Sequence, residues 1–233
     1  MRDSISPERL ELPLYSYADA DYLAQLTRGT ARRWLSGYEY RKPATGFVIR
    51  RPPVTPASEW VGPKQYGVSF LELIELVAIG GLKGLGFSLL DIREVVTNCQ
   101  ELFHSKHPLA MHDFKVGGRD VFVQTSGGLA EVLRKKGQQA WYEVLSPFLA
   151  TLEYEGPLAR RWWPAEAKGM VVVDPDYGFG FPVIKNSGVR TEIILERFQA
   201  GDFRDQIAED FNITSNEVEY ALQFEVSRLK PAA

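Results

Sequence analysis

The chain has 233 residues, of which 45% are hydrophobic and 24% charged, a composition that is ordinary for a soluble globular protein with one large domain or two small ones. No run of residues is apolar enough for a membrane span, and the amino terminus lacks the apolar core of a signal peptide. The single cysteine, Cys99, cannot form an internal disulfide, which agrees with a reducing compartment. We therefore expect a cytoplasmic protein without membrane contact.

Charge is distributed unevenly along the chain, although the formal net charge is only −3. Residues 28–51 contain seven Arg and Lys side chains against the single acid Glu39, whereas residues 192–225 contain nine acids against two arginines. A cationic segment favours a nucleic-acid partner, and an acidic one disfavours it. We expect the two segments to meet different partners, unless one of them meets only solvent.

Two short helices with a turn between them are predicted near the amino terminus. Ser16 is a suitable N-cap for a helix over 17–26, and the acid Asp21 lies near the positive end of that helix. Thr30 can likewise cap a second helix over 31–36. This helix-turn-helix spacing occurs in many folds, so the alternative is a helix whose arginines only face solvent.

The first residues of the second helix occupy the positions that face base edges in helix-turn-helix proteins. The planar guanidinium of arginine donates two parallel hydrogen bonds and suits both guanine and phosphate. We expect four residues here to meet the major groove, namely Arg28, Thr30, Arg32 and Arg33.

Strand-forming residues separated by Gly and Pro predict an irregular β-hairpin with a loop over residues 38–68. The hairpin is basic, and a wing that follows a recognition helix is a second contact to backbone phosphates. We expect these phosphate contacts to come from Arg41, Lys42, Arg50 and Arg51.

The helical period returns from Phe70 and is expected to break at Gly80. Ser88 predicts the start of a further helix, because an acid follows it three residues later. In the middle of the chain, residues 114–124 predict a β-hairpin and residues 128–155 predict helices.

A regular helical pattern covers the carboxyl-terminal segment after a short strand over 170–173. It predicts helices over 192–200, 203–211 and 215–229, with Asp202 as the cap of the second. Thr214, with Glu217 three residues later, is the predicted cap of the third. This three-helix module also has helix-turn-helix spacing, but its acidic surface would be repelled by phosphates. We expect it to contact protein, and the alternative is a solvated acidic surface without a partner.

The amino-terminal strings resemble a known family of regulators. Residues 17–27 (YADADYLAQLT) and Thr30–Trp34 (TARRW) resemble the start of a MerR-type winged helix-turn-helix. Ser69–Leu73 (SFLEL) and Leu85–Glu94 (LGFSLLDIRE) resemble the helices that follow the wing in that family. The wing region, 38–68, is longer than is usual there. The resemblance implies a protein that binds operator DNA.

The carboxyl-terminal strings resemble a second family. Residues 179–191 (FGFPVIKNSGVRT), 208–211 (AEDF) and 218–222 (VEYAL) are similar to a small three-helix module, originally of unknown function, that occurs in antitoxins. A MerR-like front joined to this module resembles a VapB-type antitoxin. That resemblance implies a PIN-domain ribonuclease toxin as the partner, which the antitoxin silences.

Cationic side chains near the module are candidates for contact with such a toxin. PIN nucleases gather carboxylates around Mg²⁺, and an inserted guanidinium could compete for them. The candidates are Lys185, Arg190, Arg228 and Lys230.

Other chemistry has little support in the sequence. Cys99, His104, His107 and His112 lack the tight spacing of a zinc site, and a turn explains Asp174-Pro175-Asp176 better than paired catalytic carboxylates. Neither a nucleophile elbow nor a phosphate-binding loop is present. We expect neither an enzyme nor a bound cofactor or metal.

These observations predict a mostly helical α+β fold in three parts: a winged helix-turn-helix over 1–103, a hairpin and helix region over 104–168, and a three-helix module over 169–233. The expected function is that of an antitoxin that binds operator DNA as a homodimer and neutralises a PIN-domain ribonuclease. The alternative is a MerR-like transcriptional regulator whose later parts sense a ligand or form the oligomer.

Overall fold

The computed structural model describes residues 7–55, 57, 67–84, 86–111, 147–164 and 169–229. The fold is α+β and mostly helical, as predicted. The described helices are α1 (Pro7–Leu10), α2 (Tyr17–Leu23), α3 (Thr30–Ser36), α4 (Phe70–Gly84), α5 (Leu89–Phe103), α6 (Thr191–Gln199), α7 (Arg204–Asp210) and α8 (Ser215–Leu229).

The described strands pair as antiparallel two-stranded ribbons. The pairs are β1 (Pro13–Tyr15) with β4 (Val68–Ser69), β2 (Tyr38–Arg41) with β3 (Val48–Arg51), β5 (Leu152–Glu155) with β6 (Leu158–Trp162), and β7 (Val171–Val172) with β8 (Val183–Ile184).

Three helices begin where the sequence places a capping side chain three residues before an acid. The Ser88 hydroxyl accepts from the Asp91 amide at 3.2 Å, while the Asp91 carboxylate accepts from the Ser88 amide at 2.8 Å. Thr214 and Glu217 form the same reciprocal pair at the start of α8. Ser16 caps α2 in the same way. These predicted caps are confirmed.

Three predicted element limits are wrong. Helix α4 continues through Gly80, which lies against the side chain of Leu26 and therefore serves close packing rather than a break. Leu152 begins strand β5 rather than continuing a helix. Asp202 does not cap α7, because its carboxylate pairs with Arg197. The hairpin predicted over 114–124 lies outside the described residues.

Helix α4 lies at the centre of the core, since its buried residues include ten of its fifteen positions. Two of these are acids. Glu72 accepts a hydrogen bond from the Ser69 amide at 2.6 Å. Glu75, fully buried, accepts from Thr55 at 2.9 Å and lies 3.2 Å from His107 Nδ1. Buried carboxylates are tolerated only with such partners.

The carboxyl-terminal module packs directly on the amino-terminal helices. The Tyr15 hydroxyl, fully buried, donates to the Gly180 carbonyl at 2.6 Å, and its ring meets that of Phe181 edge to face at 5.8 Å. Further along, the Tyr22 hydroxyl donates to the buried carboxylate of Glu225 on α8. One hydrophobic core therefore spans both ends of the chain.

The contact between Tyr15 and Gly180 can be tested by Gly180→Ala. A Cβ at Gly180 would lie 2.7 Å from the Tyr15 hydroxyl, and the φ of +80° is unfavourable for alanine. We expect a loss of about 2–4 kcal/mol in the free energy of unfolding, from backbone strain and overpacking together.

Gly156→Ala is the matched control, because Gly156 also has a positive φ (+61°) but no atom within 4 Å of its Cβ position. It should lose only the backbone contribution, about 1 kcal/mol. Urea unfolding of both variants measures the difference. Equal losses would show that the close approach to Tyr15 contributes nothing.

Candidate nucleic-acid interface

Helix α3 is held at its start by a carboxylate from the preceding helix. Asp21, which is buried, accepts from the Gly29 amide at 2.5 Å and from the Ala31 amide at 2.7 Å. The N-cap is Gly29, with a φ of +81°, and it has no capping side chain. The expectation that Thr30 caps this helix is therefore wrong. Asp21 supplies the acceptor that free amides at a helix start require.

Thr30 lies inside the helix pair and not on its surface. Only 5% of it is exposed, its hydroxyl is 2.8 Å from that of Thr27, and Arg33 Nη2 donates to it at 3.0 Å. A groove contact through the Thr30 side chain is excluded by this burial. Its hydrogen bond instead orients the guanidinium of Arg33.

The cations of the helix pair, by contrast, are exposed. Arg28, Arg32 and Arg33 all lie on the solvent side of α3 or just before it. Trp34 and Leu35 on the opposite side are buried in the core, as expected for a helix seated by its apolar face. Arg32 and Arg33 therefore form a cationic ridge on the exposed side of α3, with Arg28 just before the helix.

Strands β2 and β3 form a hairpin directly after α3. Tyr38 is opposite Arg51, Glu39 opposite Arg50, and Arg41 opposite Val48. Arg50 pairs with Glu39 at 2.5 Å, and both side chains are more than half exposed, so the pair contributes little to stability. Nearly every residue of the two strands is exposed on both faces of the ribbon.

The base of this hairpin is fastened to α5 by Arg93. Its guanidinium donates to the carbonyls of Pro53 at 2.9 Å and Pro52 at 2.7 Å, and to that of Leu89 at 3.2 Å. Sequence reasoning assigned no role to Arg93, although it lies in the Leu85–Glu94 string. The available signal was its place on the predicted helix, one turn after Leu89 and one turn before Val96.

Gly37 makes the sharp junction between α3 and the hairpin. Its φ is +69°, and a Cβ there would lie 2.5 Å from the Arg51 carbonyl oxygen. The chain then returns along the end of α3, where the Val54 amide donates to the Trp34 carbonyl at 2.6 Å. The hairpin and the helix pair are thus held as one unit.

Seven cations lie on this helix–hairpin unit: Arg28, Arg32, Arg33, Arg41, Lys42, Arg50 and Arg51. Within the part of the chain that the structure describes, Arg50 alone among them has an ion-pair partner. We call this set the basic surface. Unpaired exposed cations of one sign raise the local positive potential and suit a polyanion.

The cations expected to contact a toxin differ in their exposure to solvent. Lys185 is exposed and its ammonium lies 5.2 Å from the centre of the Trp163 ring. Arg190 stacks on Phe181 at 4.2 Å and pairs with Glu192 at 3.1 Å. Both remain reachable from solvent. Lys230 lies outside the described residues.

Arg228 is a correction, because only 6% of it is exposed. Its guanidinium stacks on Phe224 at 3.6 Å and lies 5.5 Å from the ring of Trp162. It also donates to the Phe224 carbonyl at 3.2 Å. Arg228 therefore packs α8 against β6 and has no surface to offer a partner.

The two histidines that the structure describes, His104 and His107, have different surroundings. Burial alone would lower the pKa of His107, but the hydrogen bond and attraction from Glu75 raise it above its ordinary value. His104 is exposed at the end of α5, and His112 lies outside the described residues. Cys99 is buried, which raises the pKa of its thiol to about 12. The described ranges contain no cluster of three His, Cys, Asp or Glu side chains suited to a metal.

The two acids of the Asp174-Pro175-Asp176 turn are neutralised by arginines. Asp174 is buried and accepts from Arg160 and, at 2.5 Å, from Arg161. Asp176 accepts from Arg160 at 2.9 Å and from Arg9 at 3.0 Å. This network ties the turn to β6, which agrees with its interpretation as a structural turn.

Among the helices that the structure describes, none combines the length and the apolar character needed to cross a membrane. Residues 171–224 match a family described as "Protein of unknown function (DUF433)". This segment contains β7, β8 and helices α6 and α7, and most of α8.

Two curated proteins of Mycobacterium tuberculosis are similar to most of the chain. "Putative antitoxin VapB45" is 25% identical over 233 residues, which cover 92% of this chain and 94% of that protein. "Uncharacterized protein Rv2308" is 24% identical over 231 residues, which cover 92% and 91%.

The crystal structure of Rv2018 from Mycobacterium tuberculosis has a similar fold. Its TM-score is 0.71 at 21% identity, and the match covers 91% of this chain and 98% of that one. The described fold is therefore one that a solved protein also adopts.

The role of Asp21 can be tested by Asp21→Ala. The change leaves the Gly29 and Ala31 amides without their acceptor, so we expect a loss of about 2 kcal/mol in the free energy of unfolding. Asp19→Ala is the matched control, because Asp19 caps its own helix α2. Amide hydrogen exchange should accelerate at Gly29 and Ala31 only in Asp21→Ala. Unchanged exchange at these amides would contradict the assignment.

Proposed function

We propose that this chain is a non-catalytic, antitoxin-like regulator that binds operator DNA through the basic surface and neutralises a ribonuclease toxin through another face. The observation that carries the proposal is the exposure of the basic surface, whose seven cations form a single ion pair with the described residues. The similarity to a protein named as an antitoxin, across 92% of this chain, supports the antitoxin-like class.

The exposed cations divide into two groups by their position. Arg28, Arg32 and Arg33 lie at the start of α3, where a recognition helix meets base edges in the major groove. The hairpin cations Arg41, Lys42, Arg50 and Arg51 contact phosphates on either side. Thr30 is left out of the contact set and acts through Arg33.

The acidic module is not suited to DNA binding. On helices α6–α8 the half-buried Arg197 is paired with Asp202 and Asp210, and the exposed Arg204 is paired with Glu219 at 3.5 Å. An acidic surface next to phosphate would be repelled. We therefore assign the module to protein contact with a PIN-domain ribonuclease, in which Lys185 and Arg190 meet carboxylates of the toxin. The protein acts in the cytoplasm as a homodimer on a two-fold operator.

DNA binding can be tested with the double variant Arg32→Ala/Arg33→Ala. Duplexes are first selected from a random pool with the full-length protein, and binding is then titrated by mobility shift. We expect affinity for the selected duplex to fall at least tenfold and the preference for it over unselected duplexes to decline, because each base contact contributes about 1–3 kcal/mol of discrimination.

Arg204→Ala is the matched control, because it removes one exposed arginine from the acidic module. Its affinity and its preference for the selected duplex should equal those of the wild type. If the double variant also behaves like the wild type, α3 is not the DNA-contacting helix.

The toxin contact can be tested by co-expression with the product of the neighbouring gene. Lys185→Ala/Arg190→Ala should lower the yield of the purified complex several-fold, because charge-assisted contacts are lost. Arg32→Ala/Arg33→Ala should leave that yield unchanged. A chain that binds DNA but recovers no partner would fit the transcriptional regulator instead.

A further inference from the structure

Phe47 at the tip of the β2–β3 hairpin is 73% exposed. It follows Gly46 and precedes Val48, which is 53% exposed. Both faces of this ribbon are open to solvent, and a two-stranded ribbon of this kind gains little stability by itself. Covering this large aromatic side chain with a partner would remove apolar surface from water, which is favourable.

The loop holds Phe47 in a fixed place. The Lys42 amide donates to the Phe47 carbonyl at 2.8 Å, and the Gly46 amide donates to the Lys42 carbonyl at 2.8 Å. Gly46 has a φ of +69°, which only glycine adopts without strain. This backbone hydrogen bond places Lys42 opposite Phe47 on the neighbouring strand.

The surroundings of Phe47 favour DNA over a second copy of this chain. Arg41, Lys42, Arg50 and Arg51 lie on the same short ribbon and would repel an identical ribbon. A duplex offers phosphates to these cations and stacked bases to the ring. The basic surface thus complements both parts of a nucleic acid.

The hairpin also has a suitable length. Four residues per strand extend about 14 Å from the end of α3, and the groove next to an occupied major groove lies half a helical turn away, about 17 Å. The minor groove is only about 6 Å wide. It cannot admit the whole ribbon, but it can admit a side chain at the tip.

We propose that Phe47 enters the minor groove beside the one occupied by α3 and partly unstacks one base step, so that the bound duplex bends. This inference rests on the proposed DNA binding and adds a bending function to it. The flanking cations hold the two phosphate backbones on either side of the opened groove.

The experiment uses the full-length protein and a duplex recovered from a random pool by selection with the wild type. End-to-end energy transfer measures bending, and 2-aminopurine placed at successive steps measures unstacking. The wild type should raise both signals. Phe47→Ala should abolish both and weaken binding about tenfold, since contacts that need a bent duplex are lost.

Two further variants separate the wedge from a general change in the hairpin. Phe47→Leu keeps an apolar wedge and should retain most of both signals. Val48→Ala removes the neighbouring exposed side chain, which points to the other face of the ribbon, and should match the wild type.

Three results would overturn the inference. Equal bending and 2-aminopurine signals in the wild type and Phe47→Ala would reject the wedge while leaving DNA binding intact. A change of oligomeric state in Phe47→Ala, seen by size-exclusion chromatography, would assign Phe47 to a contact between copies. Failure of the wild type to select any duplex would overturn the proposed DNA binding as well.

Discussion

The carboxylate of Glu225 joins the two ends of the chain, and the arrangement of the whole molecule depends on it. It is 2% exposed and accepts from the Tyr22 hydroxyl on α2 and the Thr191 hydroxyl at the start of α6. Burial and this hydrogen bond raise the pKa of Tyr22 above its usual range, so the hydroxyl keeps its proton. A buried acid costs free energy when unpaired, so these two donors stabilise the contact between the ends.

Two neighbouring residues of helix α2 thereby contact different parts of the molecule. Asp21 holds the start of α3, while Tyr22, one residue later, holds α8. A seven-residue helix would be marginal by itself, so its position is set by these contacts and by its buried Leu23. The basic surface and the acidic module are consequently joined through the same helix although they carry opposite charge.

Local signals predicted the parts of the fold that depend on near neighbours. The capping pairs at Ser88 and Thr214 were predicted because donor and acceptor are three residues apart. The cap of α3 was missed because its acceptor, Asp21, comes from another helix. Gly80 was taken as a break for the same reason, since its packing against Leu26 is a tertiary contact.

The candidate site was predicted in part for similar reasons. Exposure of an arginine follows from its place on a helix or ribbon, so Arg32 and Arg41 were identifiable from pattern. Burial of Arg228 between Phe224 and Trp162 depends on β6, which is more than sixty residues earlier in the chain. Periodicity along α8 carries no information about that partner.

The attachment of the β2–β3 hairpin to α5 involves mostly main-chain groups of the hairpin. The Arg93 guanidinium donates hydrogen bonds to the carbonyl oxygens of Pro52 and Pro53. These oxygens are present whatever side chains the ribbon carries. Substitutions along the ribbon can therefore change its chemistry without disturbing the attachment. The scaffold separates the attachment, which must stay constant, from the exposed side chains of the ribbon, which can change without rebuilding the body of the protein.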